Sequence, residues 1–142
     1  MIYNSFFTDL ANNNIDLGAD TFGIMLLTSS YTPDADTHSR RSALTASEVS
    51  GTGYTAGGAT LASVTLTQDN TNNLARWDAA DVTWSSSTIT ARYAAIYKRR
   101  GGADTADELV KLFDFGSDQS SSNANFTIQF SASGILTIGN AA

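Results

Sequence analysis

The chain has 142 residues, a formal net charge of −6, an isoelectric point near 4.4 and no cysteine. That length suits one domain with a sizeable core, and the acidic balance disfavours nucleic-acid backbones and anionic lipid surfaces as partners. The lack of cysteine excludes disulfides, thiolate metal sites and cysteine nucleophiles.

Charged residues make up only 15% of the chain, a composition that favours strands and turns over solvated amphipathic helices. Two Trp, five Tyr and seven Phe spread along the sequence are enough to seed a core. Residues 1–142 are therefore expected to form a single domain. Met1-Ile2-Tyr3-Asn4 has neither the basic region nor the apolar run of a signal peptide, and no segment approaches the roughly 20 apolar residues of a spanning helix.

In chain order, Tyr3, Phe6, Phe7 and Leu10 fall at helical spacing before Asn12-Asn13-Asn14 breaks the pattern. The spacing predicts a helix of about two turns within residues 1–12, too short to stand alone, whose aromatic face docks on the domain or on a neighbouring subunit. After a turn at Leu17-Gly18-Ala19-Asp20, Thr21 to Leu27 is apolar on nearly both faces and reads as a buried strand. Tyr31-Thr32-Pro33-Asp34 supplies turn chemistry. Residues 34–58, glycine-rich from Gly51 to Gly58, show no sustained period and are expected to form an extended loop or interaction arm.

Beyond it, Ala62, Val64 and Leu66 share one face, Asn70 to Asn73 turns, and Leu74 to Asp78 forms a short strand. Val82 and Trp84 point inward and Ser85-Ser86-Ser87 reads as a turn. Thr88 to Lys98 is the longest strand, with Ile89, Ala91, Tyr93, Ala95 and Tyr97 on one face. It is expected at the centre of its sheet. Arg99 to Asp104 is a polar loop. Glu108 to Phe115 suits a strand better than the helix that Thr105 and Glu108 could cap. Asp118 to Asn123 reads as a serine-rich turn, Phe126, Ile128 and Phe130 alternate as a strand, and Ile135 to Ile138 closes the chain. The fold class is all-β: a seven- to eight-stranded antiparallel β-sandwich or barrel with a short N-terminal helix and one long loop.

Catalytic signatures are weak. The single histidine, His38, lies in a polar loop, and no Gly-x-Ser-x-Gly turn presents a serine. Asp34, Asp36 and His38 alternate like cation ligands but lack the glycine and distal glutamate of an EF-hand, so a solvated turn is the better reading. Gly51 to Gly58 fits neither a dinucleotide fingerprint nor a phosphate-binding loop. Glu48 and Glu108, the only glutamates, fall at loop or strand ends, too scattered to suggest a glycosidase pair. Trp84 reads as core, while Trp77 is balanced between core and a sugar-stacking platform. Arg92, Lys98, Arg99 and Arg100 form a basic cluster suited to acids on a neighbour or to a solvated hairpin end. No enzyme activity, cofactor or metal is expected.

Leu26 to Pro33, His38, the Glu48-Val49-Ser50-Gly51-Thr52-Gly53-Tyr54 segment through Gly58, Asp81 to Trp84, Thr88 to Tyr93 and Ile96-Tyr97-Lys98 together resemble a family of small virion structural proteins of tailed bacteriophages. The resemblance spans Phe22 to Ile138. It implies a virion component, assembled in the host cytoplasm, on the capsid or the tail. The leading expectation is a capsid decoration (cement) protein, a homo-oligomer that binds the major capsid protein or other virion proteins and stabilises the head. A tail or neck component is the alternative, and a carbohydrate-binding domain that recognises the host a more distant one. Neither nucleic acid nor membrane is expected as a partner. The residues expected to bind the partner are Tyr3, Phe6 and Phe7 of the helix, His38, Arg40, Arg41, Glu48 and Tyr54 of the arm, and Arg99 and Arg100.

Overall fold

The computed structural model describes residues 1–139. One helix, α1 (Asn4–Ala11), precedes seven strands: β1 (Phe22–Leu27), β2 (Ala59–Thr60), β3 (Thr65–Asp69), β4 (Leu74–Asp78), β5 (Val82–Lys98), β6 (Leu109–Ile128) and β7 (Leu136–Gly139). Short 3₁₀ turns occupy Arg41–Ala43, Thr45–Ser47 and Asp104–Ala106. The strands make two antiparallel sheets, one ordered β2-β1-β5-β6 and one ordered β3-β4-β7. The all-β class with a short N-terminal helix is therefore the observed one, and β5 is central, between β1 and β6.

All six residues of β1 are buried because its sheet is covered on both faces. One face carries Phe22, Ile24, Leu26, Ala94 and Ile96, packed with Phe6 of the helix, Ile15 and Leu17 of the turn after it, Leu61, and Trp77 and Leu136 of the second sheet. Trp77 meets Phe22 edge to face, ring centroids 4.8 Å apart, and its Nε1 donates to the Leu17 carbonyl at 2.9 Å. The opposite face carries Met25, Leu27, Tyr93, Ala95, Tyr97, Leu109 and Leu112 under Tyr3, Tyr31 and Leu44. A continuous apolar run is what such double coverage requires.

The two serine-rich segments are strand, not turn. Ser85 to Ser87 lies inside β5 and Asp118 to Asn123 inside β6. Serine is a poor strand former by propensity, but here hydroxyls pair across the ladder: Thr83 with Thr127 at 2.8 Å, Ser87 with Ser121 at 2.7 Å and Thr90 with Ser120 at 2.7 Å. The turn-like character survives as bulges. Register shifts fall between Trp84 and Ser87 and between Ser87 and Ile89, where Ser86 (φ 49°) and Asn123 (φ 47°) are left-handed.

A further irregularity between Ala91 and Tyr93 corrects the expected facing of the long strand. Ala91 pairs with Gln119 but Tyr93 with Asp114, so β6 bulges outward around Gly116 (φ 81°). Ile89 and Ala91 consequently join Ala94 and Ile96 in one core cluster, while Tyr93, Ala95 and Tyr97 enter the other. A shift of one residue moves every later side chain to the other face.

Candidate partner-binding surface

The helix divides its aromatic residues. Tyr3, at the N-cap, and Phe6 are wholly buried in the two core clusters, so neither forms part of an outer surface. The reason is the helix's length: eight residues are held only by docking their apolar face, and here the domain itself supplies the dock. Phe7 points outward, 56% exposed, and Leu10, three residues on, lies on the same side, half-buried.

Leu10 opens into a groove of about 340 Å³ lined by Leu10, Ile15, Leu17, Leu66, Ala75 and Ile138, with Asn13 and Asp16 on its rim. Its far wall is an overhang of the second sheet. Leu66 stands opposite Trp77, which stands opposite Leu136, so all three share the core-facing side, as do Ala75 and Ile138 one step along. Trp77 and Leu136 are covered by the larger sheet, whereas Leu66 (45% exposed) and Ile138 (38% exposed) lie past its edge. Alternation places Ala62, Val64 and Leu66 on one face of a single strand. The chain instead breaks at Ser63 (φ 52°), β3 begins at Thr65, and Leu66 is apolar and open. Phe7, Leu10, Leu66 and Ile138 thus form a run of exposed or half-exposed apolar side chains from the helix to the sheet edge.

The segment 34–58 carries no strand, as expected of a loop, but it lies along the large sheet and does not project as an arm. Leu44 and Val49 are buried, Val49 N donates to the Leu26 carbonyl at 2.9 Å, and Thr88 N donates to Thr52 at 3.0 Å. The glycines explain the close approach. A Cβ on Gly58 (φ 67°) would lie 2.0 Å from the Ile24 carbonyl oxygen, and one on Gly53 (φ 80°) 2.8 Å from the Ser87 Cα. Only glycine fits both that conformation and that space.

Every polar residue expected to reach a partner is engaged within the chain. His38 Nδ1 is hydrogen-bonded to the Tyr31 hydroxyl at 2.8 Å, and that hydroxyl to the Tyr3 hydroxyl at 3.0 Å. Arg40 pairs with the buried Asp9 at 2.9 Å, and Arg100 with the buried Glu108, 2.6 Å at the shortest. Arg41 donates Nε to the buried Asp107 at 2.7 Å. Burial opposes the Arg41 charge, but the bond to Asp107 and that carboxylate's charge outweigh it and hold its pKa above the ordinary value. Glu48 accepts from the Tyr54 hydroxyl at 2.8 Å and from Gly57 N at 2.6 Å; Tyr54 in turn accepts from Leu26 N at 3.0 Å and packs on Trp84. Arg99 donates to the Gly57 carbonyl at 2.7 Å.

Asp34 and Asp36 act as turn acceptors. Asp34 takes hydrogen bonds from the Thr37 hydroxyl and from the backbone of Thr37 and Asp36, which draw its pKa below the usual range; Asp36 accepts from Asn4. Among the described residues no group of three metal-ligating side chains assembles. Trp77 is fully buried and Trp84 nearly so, and Tyr97 lies beneath Gly57, so the stacking platform that sugar recognition through Trp77 requires is not formed.

Sequence reasoning missed Leu66 and Ile138 as surface, and Asp9 and Asp107 as the buried anchors of the arginines. Leu66 and Ile138 carried a strand signal but none for an overhang. No protein-family model matches the chain, and neither does a curated protein or a solved structure.

Proposed function

We propose that the chain is a structural protein of a tailed-bacteriophage virion, a capsid decoration (cement) protein that oligomerises and binds the outside of the head. The observation that supports a binding role is the open apolar run Phe7, Leu10, Leu66 and Ile138 at the overhang of the second sheet. Exposed apolar residues gathered beside a groove are costly to leave in water and mark an interaction surface. The resemblance to small virion proteins supplies the class of partner. A net charge of −6 suits a position outside the shell, away from packaged DNA. A contact of modest strength repeated over many equivalent capsid sites stabilises the shell by mass action and avidity.

Two experiments test this. Particles stripped of the protein should lose infectivity under heat and osmotic shock and regain resistance when it is added back; equal resistance before and after stripping would refute the cement role. Antibody labelling over the whole head supports decoration, whereas labelling at one vertex or along the tail assigns the chain to the neck or tail.

A further inference from the structure

A second concavity lies on the opposite side of the large sheet, at the loop after β5. About 220 Å³ in volume, it is lined by Arg41, Gly57, Tyr97, Arg99, Gly101 and Asp107, among others. The guanidinium carbons of Arg41 and Arg99 sit 5.0 and 5.6 Å from the centroid of the Tyr97 ring. Both terminal groups converge on one point: a Cβ on Gly57 would have Arg41 Nη1 and Arg99 Nη2 each at 3.8 Å.

These guanidiniums have unused donors. Among the described residues, Arg41 gives only Nε to an acceptor, and Arg99 gives only Nη2. Among the described residues Arg99 Nε is buried with no acceptor, and Arg99 forms no ion pair. The nearby carboxylates already have donors. Asp107 accepts from Arg41 Nε and from Arg100 N, while Glu48 accepts from Gly57 N and the Tyr54 hydroxyl. Gly101 and Gly102 have no heavy atom within 4 Å of a Cβ placed on them, so the approach is open.

We propose that this pocket receives the carboxylate of an acidic side chain on a partner protein, held between Arg41 and Arg99. Guanidinium donors in a fixed fork match the two oxygens of a carboxylate, and the Tyr97 ring holds both forks in place. The Asp107 carboxylate already bonded to Arg41 favours a monoanion over a doubly charged phosphate. The inference rests on the reading of the chain as a protein-binding domain and adds the chemistry of one contact, on a face separate from the apolar groove.

The test uses the whole chain in solution at constant ionic strength, followed by amide and arginine Nε resonances. The probes are acetate, a short end-blocked peptide with one glutamate, and the same peptide with glutamine. Acetate and the glutamate peptide should saturate shifts at Gly57, Gly101, Gly102 and Arg99 Nε, and the glutamine peptide should leave them unchanged. Arg99→Gln should raise the half-saturation concentration about tenfold or more, the loss of one charge-assisted donor set, with the spectrum outside the pocket unaltered. Shifts linear in probe, equal shifts with the glutamine peptide, or unchanged binding in Arg99→Gln overturn the site. Saturation by acetate but not by the glutamate peptide overturns the protein partner. These readouts need no virion, so the pocket and the cement role fail or stand separately.

Discussion

Replacing Tyr31 with phenylalanine perturbs a buried chain of three polar groups whose energetics follow from counting protons. Tyr3 is 0% exposed and Tyr31 4% exposed, and among the described residues the Tyr3 hydroxyl has no partner but the Tyr31 hydroxyl, which also bonds His38 Nδ1. With His38 neutral and its proton on Nε2, Nδ1 accepts from Tyr31 and Tyr31 accepts from Tyr3, so each hydroxyl proton has an acceptor. Tyr31→Phe removes the middle group and orphans the Tyr3 hydroxyl at the centre of a core cluster, at a cost of about 1–3 kcal/mol. Tyr3→Phe removes only the end of the chain, leaves Tyr31 bonded to His38, and costs about 0.5–1.5 kcal/mol. The double variant leaves no orphan, so its loss should fall short of the sum of the two single losses by about 1 kcal/mol. Urea unfolding at pH 8, with the slope unchanged across the four proteins, measures all of these. Additivity within about 0.3 kcal/mol, or a Tyr31→Phe loss below about 0.5 kcal/mol, would refute the relay.

Burial raises the pKa of Tyr3, Tyr31, Tyr54 and Tyr97 above the ordinary phenol value. Below that value, near pH 10, the folded and unfolded states both hold these protons; above it the unfolded chain releases them first, so stability should fall steadily as pH rises from there, read by denaturant midpoints from pH 8 to 11. Gly58→Ala, which sets a Cβ against the Ile24 carbonyl at a left-handed position, should cost about 2–4 kcal/mol by the same unfolding measurement. Trp77→Ala should cost about 3–5 kcal/mol through the cavity left against Phe22, and a Tm within 2 °C of the parent's, roughly the shift of a sub-kcal change, would contradict that core. Phe7→Asp and Leu66→Asp, by contrast, should shift stability by no more than about 0.5 kcal/mol yet abolish binding to stripped particles in a pelleting assay.

Local pattern alone determined the elements whose signals are short in range. The helix spacing of Tyr3, Phe6, Phe7 and Leu10, the unbroken apolar run of β1, the strand from Leu74 to Asp78 and the alternation of Val82 with Trp84 all appear where the residues place them, because each reports a periodicity of its own backbone. Tertiary structure decided what depends on neighbours. Ser85 to Ser87 and Asp118 to Asn123 became bulged strand because Ser87 met the Ser121 hydroxyl and Ser120 that of Thr90, thirty or more residues away. The facing of Tyr93, Ala95 and Tyr97 turned on a bulge that no single-strand pattern encodes. The arginines of the 34–58 segment and of the loop after β5 met Asp9, Asp107 and Glu108 only once the chain had folded. Leu66 and Ile138 remained open because the small sheet extends past the large one. An apolar residue in a strand reports that its face is dry only where another layer covers it, and coverage is a property of the assembled fold.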